Sequence, residues 1–260
     1  AAVNMEEETE YTEAVMVKTS RSTLKELLLT ALRPVGSTMY IWGGGWNRAD
    51  NGAGTEARFI GLSPRWKQYF RQQSSSYDYR NTRYQIADGL DCSGYVGWVI
   101  YNALENVNGR RGYVLKAQKM AQNFAARGWG AYTPAGQVGD LRAGDIMSSP
   151  SHVWIVLGEC ADGSAVLLHS NPPGVRIAGT PARNGKENSQ AYRLARLYMK
   201  KYYPEWFKKY PECLTSYGYL TDCARMRWDL TGTQVMTDPD GYRSMNAEQI
   251  LHNLFGKQQR

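Results

Sequence analysis

Leu90-Asp91-Cys92-Ser93-Gly94-Tyr95-Val96-Gly97-Trp98-Val99-Ile100-Tyr101 puts a cysteine at the first turn of a buried helix. Apolar residues recur at Val96, Val99, Ile100, Ala103 and Leu104, a helical spacing and not the alternation of a strand. Asp91 has a side chain able to cap the first turn by accepting from its free N–H groups. Those N–H groups and the helix dipole favour negative charge, so a thiol here is expected to lean toward thiolate, the form that attacks carbonyls. A packed, inert cysteine is the common alternative. Small and polar neighbours, Ser93 and Gly94, stand where a packing role would want bulk.

A thiolate nucleophile needs a base, and the chain has three histidines. His252 lies in Ala247–Gly256, which reads as a short amphipathic helix burying Ile250, Leu251, Leu254 and Phe255, with His252 on the outer face. Ser151–Gly158 is apolar on both faces, as a central strand should be, and carries His152. A turn-rich Glu159–Gly163 leads to a second strand, Ser164–Ser170, which carries His169. If the turn centres near Cys160 and Ala161, the two histidines face each other with Cβ atoms about 5 Å apart. A tight turn on Asp162-Gly163 offsets them by roughly 13 Å along the strand. A shared site therefore requires the earlier centre or a bulge. With Cys92, the two residues supply a nucleophile, a base and a group to orient that base. Zinc is the competing use of the set, although it lacks the close ligand pairing of structural sites.

Composition narrows the class. The chain has 260 residues, 42% of them hydrophobic, enough for one large domain with additions. A net charge of +7 favours anionic partners, and no nucleic-acid motif or lysine-arginine run is present, so nucleic acid is not an expected partner. No stretch approaches a membrane span. Trp42-Gly43-Gly44-Gly45-Trp46 lacks the Gly-Lys-Ser/Thr of a phosphate loop, and Thr237–Gly241 is turn chemistry. No cofactor or metal is expected.

Five segments, in order, resemble the NlpC-type cell-wall cysteine peptidases: Tyr40-Ile41-Trp42-Gly43-Gly44, Asp91-Cys92-Ser93-Gly94-Tyr95-Val96, Leu141-Arg142-Ala143-Gly144-Asp145-Ile146, the His152 strand, and Leu168-His169-Ser170 followed by Gly174-Val175-Arg176. The resemblance spans roughly residues 24–198. It implies an α+β fold with a papain-like core, the cysteine helix packed on an antiparallel sheet that carries both histidines, to which this chain adds an insertion and a C-terminal extension. It implies Cys92 as nucleophile, His152 as general base and His169 as the orienting residue. Tyr40 and the Cys92 N–H would serve the oxyanion, and Asp91, Ser93, Ser151 and Trp42 would line the substrate pocket. The implied reaction is hydrolysis of the γ-D-glutamyl-diamino acid bond of murein (peptidoglycan) stem peptides through a thioester. The chain is expected to be secreted or held in a bacterial cell envelope, with any signal peptide absent from this sequence, and to be a monomer.

Two departures qualify it. Residues 47–88 separate two segments that usually stand close together. There Ser63-Pro64-Arg65-Trp66 starts a helix with an apolar face of Trp66, Tyr69 and Phe70. This insertion is either a wall of the cleft, its arginines suited to substrate carboxylates, or a surface decoration. The organisation expected is an acidic arm over 1–22, a catalytic domain over 23–200, and an extension over 201–260 packed on it. In the extension, Trp206 and Phe207 are expected to be buried with the neighbouring lysines solvated. Thr23-Leu24-Lys25-Glu26 reads as a capping box. Cys213 and Cys223 would pair only in an oxidising compartment. Acyl transfer by the same triad, amidase activity, and a silent cell-wall-binding module remain alternatives.

Overall fold

The computed structural model describes residues 22–231 and 235–256; apart from Ser22, the expected acidic arm lies outside the described residues. Ser22–Thr23 is strand β1, and helix α1 spans Leu24–Leu32 behind the expected capping box. Thr23 Oγ1 accepts from the Glu26 N–H, and Glu26 Oε2 accepts from the Thr23 N–H, each at 3.1 Å. Helix α2 is Pro64–Gln72, α3 is Cys92–Leu104 and α4 is Ala117–Ala126. Five strands follow: β2 (Gly130–Thr133), β3 (Ile146–Ser148), β4 (Val153–Glu159), β5 (Ala165–Asn171) and β6 (Gly174–Gly179). Beyond them come α5 (Gln190–Tyr202), α6 (Pro204–Lys209), α7 (Gly218–Thr221), β7 (Ala224–Trp228), β8 (Met236–Thr237) and α8 (Ala247–Gly256).

The architecture is α+β. Six strands form one sheet in the order β2-β7-β3-β4-β5-β6, each neighbouring pair antiparallel, and β1 pairs with β8 in parallel beside it. Strand β4 is central and buried on both faces, as its unbroken apolar run requires. Val153, Ile155 and Leu157 join Val166, Leu168 and the apolar side of α3 in the larger core. Trp154 and Val156 point the other way, into a smaller core with Met147, Leu167, Leu220 and Cys223. Helix α8 lies across β4 at Gly158, where an added Cβ would come within 2.8 Å of the Ala247 Cα.

The C-terminal extension is woven into this fold instead of resting on it. The expected boundary at residue 200 falls inside α5, and β7 inserts between β2 and β3, two strands that precede it by some eighty residues or more. Without β7 the edge of β3 would expose unpaired backbone groups. Side chains fix the insertion: Arg227 Nη2 lies 2.7 Å from Asp145 and its Nη1 3.2 Å from Asp140, while Arg225 Nη1 lies 3.0 Å from Asp140.

Helix α2, in the 47–88 insertion, is clamped between the nucleophile helix and the extension. Trp66 meets Trp98 edge-on at 5.8 Å, and Phe70 stacks on Trp206 at 5.3 Å. Trp206 is buried as expected, but Lys209 is not simply solvated. Its Nζ donates to the carbonyls of Phe70, Arg71 and Gln73 at 3.2, 3.4 and 2.6 Å, and Tyr210 Oη donates to the Ser74 carbonyl at 2.6 Å. The last carbonyls of a helix have no partners within it, and a lysine supplies both donors and the favourable charge.

The start of α3 is packed backbone to backbone on the glycine-rich segment before it. A Cβ added at Gly94 would overlap the Gly44 carbonyl, with the Gly45 Cα 3.0 Å away. Neither neighbour is a flexible side chain that can move aside. Gly94→Ala is therefore expected to cost about 2 kcal/mol or more in unfolding free energy, since overpacked rigid sites lose 1–3 kcal/mol. A chemical denaturation midpoint equal to that of the parent chain would contradict this packing.

Candidate active site

Asp91 organises the site. As N-cap of α3 its Oδ1 accepts from the Gly94 N–H at 2.7 Å and from Ser93 Oγ at 2.9 Å. Its Oδ2 accepts from the Gly43 N–H at 3.3 Å, and its own N–H donates to the Gly44 carbonyl at 3.0 Å. Trp46 Nε1 donates to Ser93 Oγ at 3.0 Å, so the Tyr40–Trp46 segment hangs on the helix start. Burial raises the Asp91 carboxyl to about 6 in spite of these donors.

Cys92, the first residue of α3, is 8% exposed and opens on a cleft of about 430 Å³. Tyr40, Trp42, Asp91, Ser93 and Ser151 line the same cleft, so every expected pocket residue is brought to the thiol. Ser93 has already given its one proton to Asp91, which makes it a support of the pocket wall. Asp50 lines the cleft from the insertion. Arg83 lies over the Trp42 ring at 5.5 Å, and Tyr79 meets Tyr40 edge-on at 5.3 Å. The insertion thus contributes to the wall. Two of its arginines are already occupied: Arg65 pairs with Asp88 at 2.7 Å and Arg80 with Asp78 at 3.0 Å.

The expected thiolate bias is overturned in the free protein. Burial, and then the Asp91 carboxylate, push the Cys92 thiol up to about 12, although the N–H groups of Val153, Ser93 and Cys92 itself act in the opposite direction. The helix start does favour the anion, but the capping carboxylate that creates the start is itself a buried negative neighbour. The other three thiols, Cys160, Cys213 and Cys223, are free and buried, with no disulfide joining the last two.

The histidines meet through a register that neither sequence alternative describes. The turn is closed by Cys160 N–H to the Ser164 carbonyl at 2.8 Å, centring it on Asp162. A bulge between Val156 and Gly158 then shifts the pairing by one residue, from Gly158↔Val166 to Val156↔Leu167. His152 and His169 become diagonal neighbours, a separation that long or ring side chains can span. His152 Nε2 lies 3.2 Å from His169 Nδ1, with the rings nearly perpendicular at 79°. The bulge that a shared site required is present.

Two residues of this cluster had no role in the sequence reading. Tyr219, from α7 in the extension, places its hydroxyl 3.2 Å from the same His169 Nδ1 and packs against both imidazoles. Arg176 is buried on β6 directly opposite His169, its Nη1 donating to the carbonyls of Asn171 and Gly174. Burial and then Arg176 hold His152 down to about 4 and His169 well below the usual histidine range. Both rings are neutral at pH 7. His152 Nε2 and the Tyr219 hydroxyl compete for the one position on His169 Nδ1, and in the tautomer where that nitrogen accepts from His152 Nε2–H the lone pair of His152 lies on Nδ1. Arg176 stood in a quoted motif, but its charge carries meaning only once β6 is set beside β5. Tyr219 lies fifty residues from His169 with no local signal at all.

Replacing Asp91 by asparagine keeps a competent N-cap while removing the charge beside the thiol. Iodoacetamide should therefore alkylate Cys92 slowly at pH 7 in the parent chain, faster as pH rises, and several-fold faster in Asp91→Asn at pH 8. An unchanged or slower rate in a folded Asp91→Asn chain would show that the carboxylate does not hold the thiol protonated.

Searches against protein-family models, curated proteins and solved structures found no match to this chain.

Proposed function

We propose that the chain is a cysteine peptidase with Cys92 as nucleophile, His152 as general base and His169 as the residue that fixes the base. The observation that carries this reading is the 3.2 Å contact between His152 Nε2 and His169 Nδ1, with the N–H of Val153, next in the chain to His152, acting on the Cys92 thiol at the helix start that opens on a cleft. The papain-like assignment of the fold belongs to the same proposal, on the strength of a nucleophile helix packed on an antiparallel sheet. The substrate class, murein stem peptides cut at the γ-D-glutamyl-diamino acid bond, rests on the five resembling segments. A bacterial envelope location rests on the same ground.

Thiol and imidazole both begin neutral, so proton transfer accompanies attack instead of preceding it. Sγ bonds to the γ-glutamyl carbonyl carbon as its proton passes to His152 Nδ1. The carbonyl oxygen becomes an oxyanion facing the Cys92 N–H and the Tyr40 hydroxyl. Burial above all, with Cys92 and Asp91 as acidic neighbours, raises the Tyr40 phenol far above its usual range, so it stays a donor. The C–N bond breaks as the imidazolium returns the proton to the leaving amine. Water, deprotonated by His152, then hydrolyses the thioester and frees the thiol. Asp91, which lines the cleft next to the nucleophile, takes the free ammonium of an L-Ala-γ-D-Glu unit in this reading, with Asp50 the other carboxylate of the cleft.

A free tripeptide stem should yield L-Ala-γ-D-Glu and the diamino acid, with at least about a 10³-fold loss in Cys92→Ala. Mass spectrometry of the products decides the bond. Release of alanine alone, transfer to an added amine in place of hydrolysis, or equal turnover by Cys92→Ala would each refute the assignment.

The pH profile separates the carboxylate from the base. Asp91 must be ionised to hold an ammonium and its pKa is raised to about 6, so kcat/KM should climb as pH rises through 6. His152 is neutral above about 4 and imposes no limb there. In Asp91→Asn the limb near 6 should vanish, together with a preference of about 10- to 100-fold for free over N-acetylated stems. Persistence of both in that variant would remove Asp91 from substrate binding.

A further inference from the structure

The Asn47–Asn51 loop, which contributes Asp50 to the Cys92 cleft, borders another hollow of about 310 Å³. Arg58, Arg111 and Arg127 line it together with Asn47 and Asn51, and no carboxylate is among its lining residues. None of the three arginines forms an ion pair among the described residues. That sets this hollow apart from the larger one beside Trp46, where Arg65 is neutralised by Asp88 and Asp50 is also present.

Two of the three side chains, Arg127 and Arg58, are held in place, and the third, Arg111, reaches the hollow from an exposed position. Arg127 lies over the rings of Tyr113 and Trp129 at 5.3 and 5.1 Å, and its Nε donates to Asn123 Oδ1 at 2.9 Å. The Arg58 stem runs against Gly112, where an added Cβ would sit 2.8 Å from the Arg58 Cγ, and the Gly109 N–H donates to the Arg58 carbonyl at 3.0 Å. Arg58 Nε is buried without a hydrogen-bond partner. Arg111 and Arg127 line the same hollow, and the Arg127 guanidinium is lowered by burial and, against Tyr113, by the like charge of Arg111. Like charges gathered in one hollow with no counter-charge destabilise one another, and a bound anion relieves them.

We propose that this hollow is a binding site for a phosphate group, free or esterified. Guanidinium forks suit both carboxylate and phosphate, but three of them exceed what one carboxylate balances. A phosphate brings nearly two charges and at least three acceptor oxygens. The site does not depend on the peptidase reading, because no group of the triad lines it.

The test is calorimetric titration of the full chain at low ionic strength with inorganic phosphate, glycerol 3-phosphate and acetate. Phosphate should bind saturably, with acetate about tenfold weaker or more, and the phosphate ester separates a free from an esterified source. Arg111→Gln, at an exposed position, should weaken phosphate about tenfold, and Arg127→Lys, which keeps the charge but loses the fork, several-fold. Lys119→Gln on the exposed side of α4 and Cys92→Ala should bind as the parent does. The proposal fails if there is no saturation up to about 10 mM phosphate, if acetate binds equally, or if Arg111→Gln and Lys119→Gln respond alike.

Discussion

The buried carboxylate of Asp91 is the constraint on which the rest of the site depends. It caps α3, fixes Ser93, and receives the Gly43 N–H of a segment fifty residues earlier in the chain. Through that one group the nucleophile and the cleft wall at Gly43 and, by way of Ser93, at Trp46 acquire fixed positions. Burial and then this same charge keep the Cys92 thiol protonated, and burial pushes the carboxyl itself up to about 6. Structure and reactivity therefore pull in opposite directions at this residue. A resting thiol and two resting imidazoles without charge follow, the thiol held by burial and by Asp91 and the histidines by burial and by Arg176.

The distribution of the site along the chain has a structural reason. The helix that presents Cys92 leans on one face of the sheet, and the histidines share the face of Trp154, where the extension supplies the cover. Tyr219 packs against Trp154 and both imidazoles, and Cys223 accepts from Trp154 Nε1 at 3.4 Å. Strand β7 then completes the sheet, and Lys209 with Tyr210 closes the end of the insertion helix. Removing the extension would therefore open the sheet and uncover the base at once.

Much of this was legible in the sequence where the signal was local. The Asp91 cap, the α3 spacing, the Thr23 capping box, the Pro64 helix start and the two-faced apolar run of β4 each follow from residues within a few positions of one another. Long-range terms were not legible. The bulge at Leu157 has Gly158 as its one sequence marker, a weak signal at the end of an apolar run, yet it decides whether the histidines touch. The place of β7 between β2 and β3 rests on Arg225 and Arg227 finding Asp140 and Asp145 more than eighty residues away. The thiol state misled for a related reason: a capping aspartate reads as support for the helix, whereas its charge matters only once burial removes the screening water.

The most direct test of the central claim is rapid-quench mass spectrometry of the intact chain mixed with a free L-Ala-γ-D-Glu-diamino acid peptide. A triad of Cys92, His152 and His169 predicts a transient mass increase equal to the L-Ala-γ-D-Glu acyl group, mapping to Cys92 and labile to hydroxylamine. Peptide cleavage without any adduct, or an adduct mapping to Cys160, Cys213 or Cys223, would contradict it.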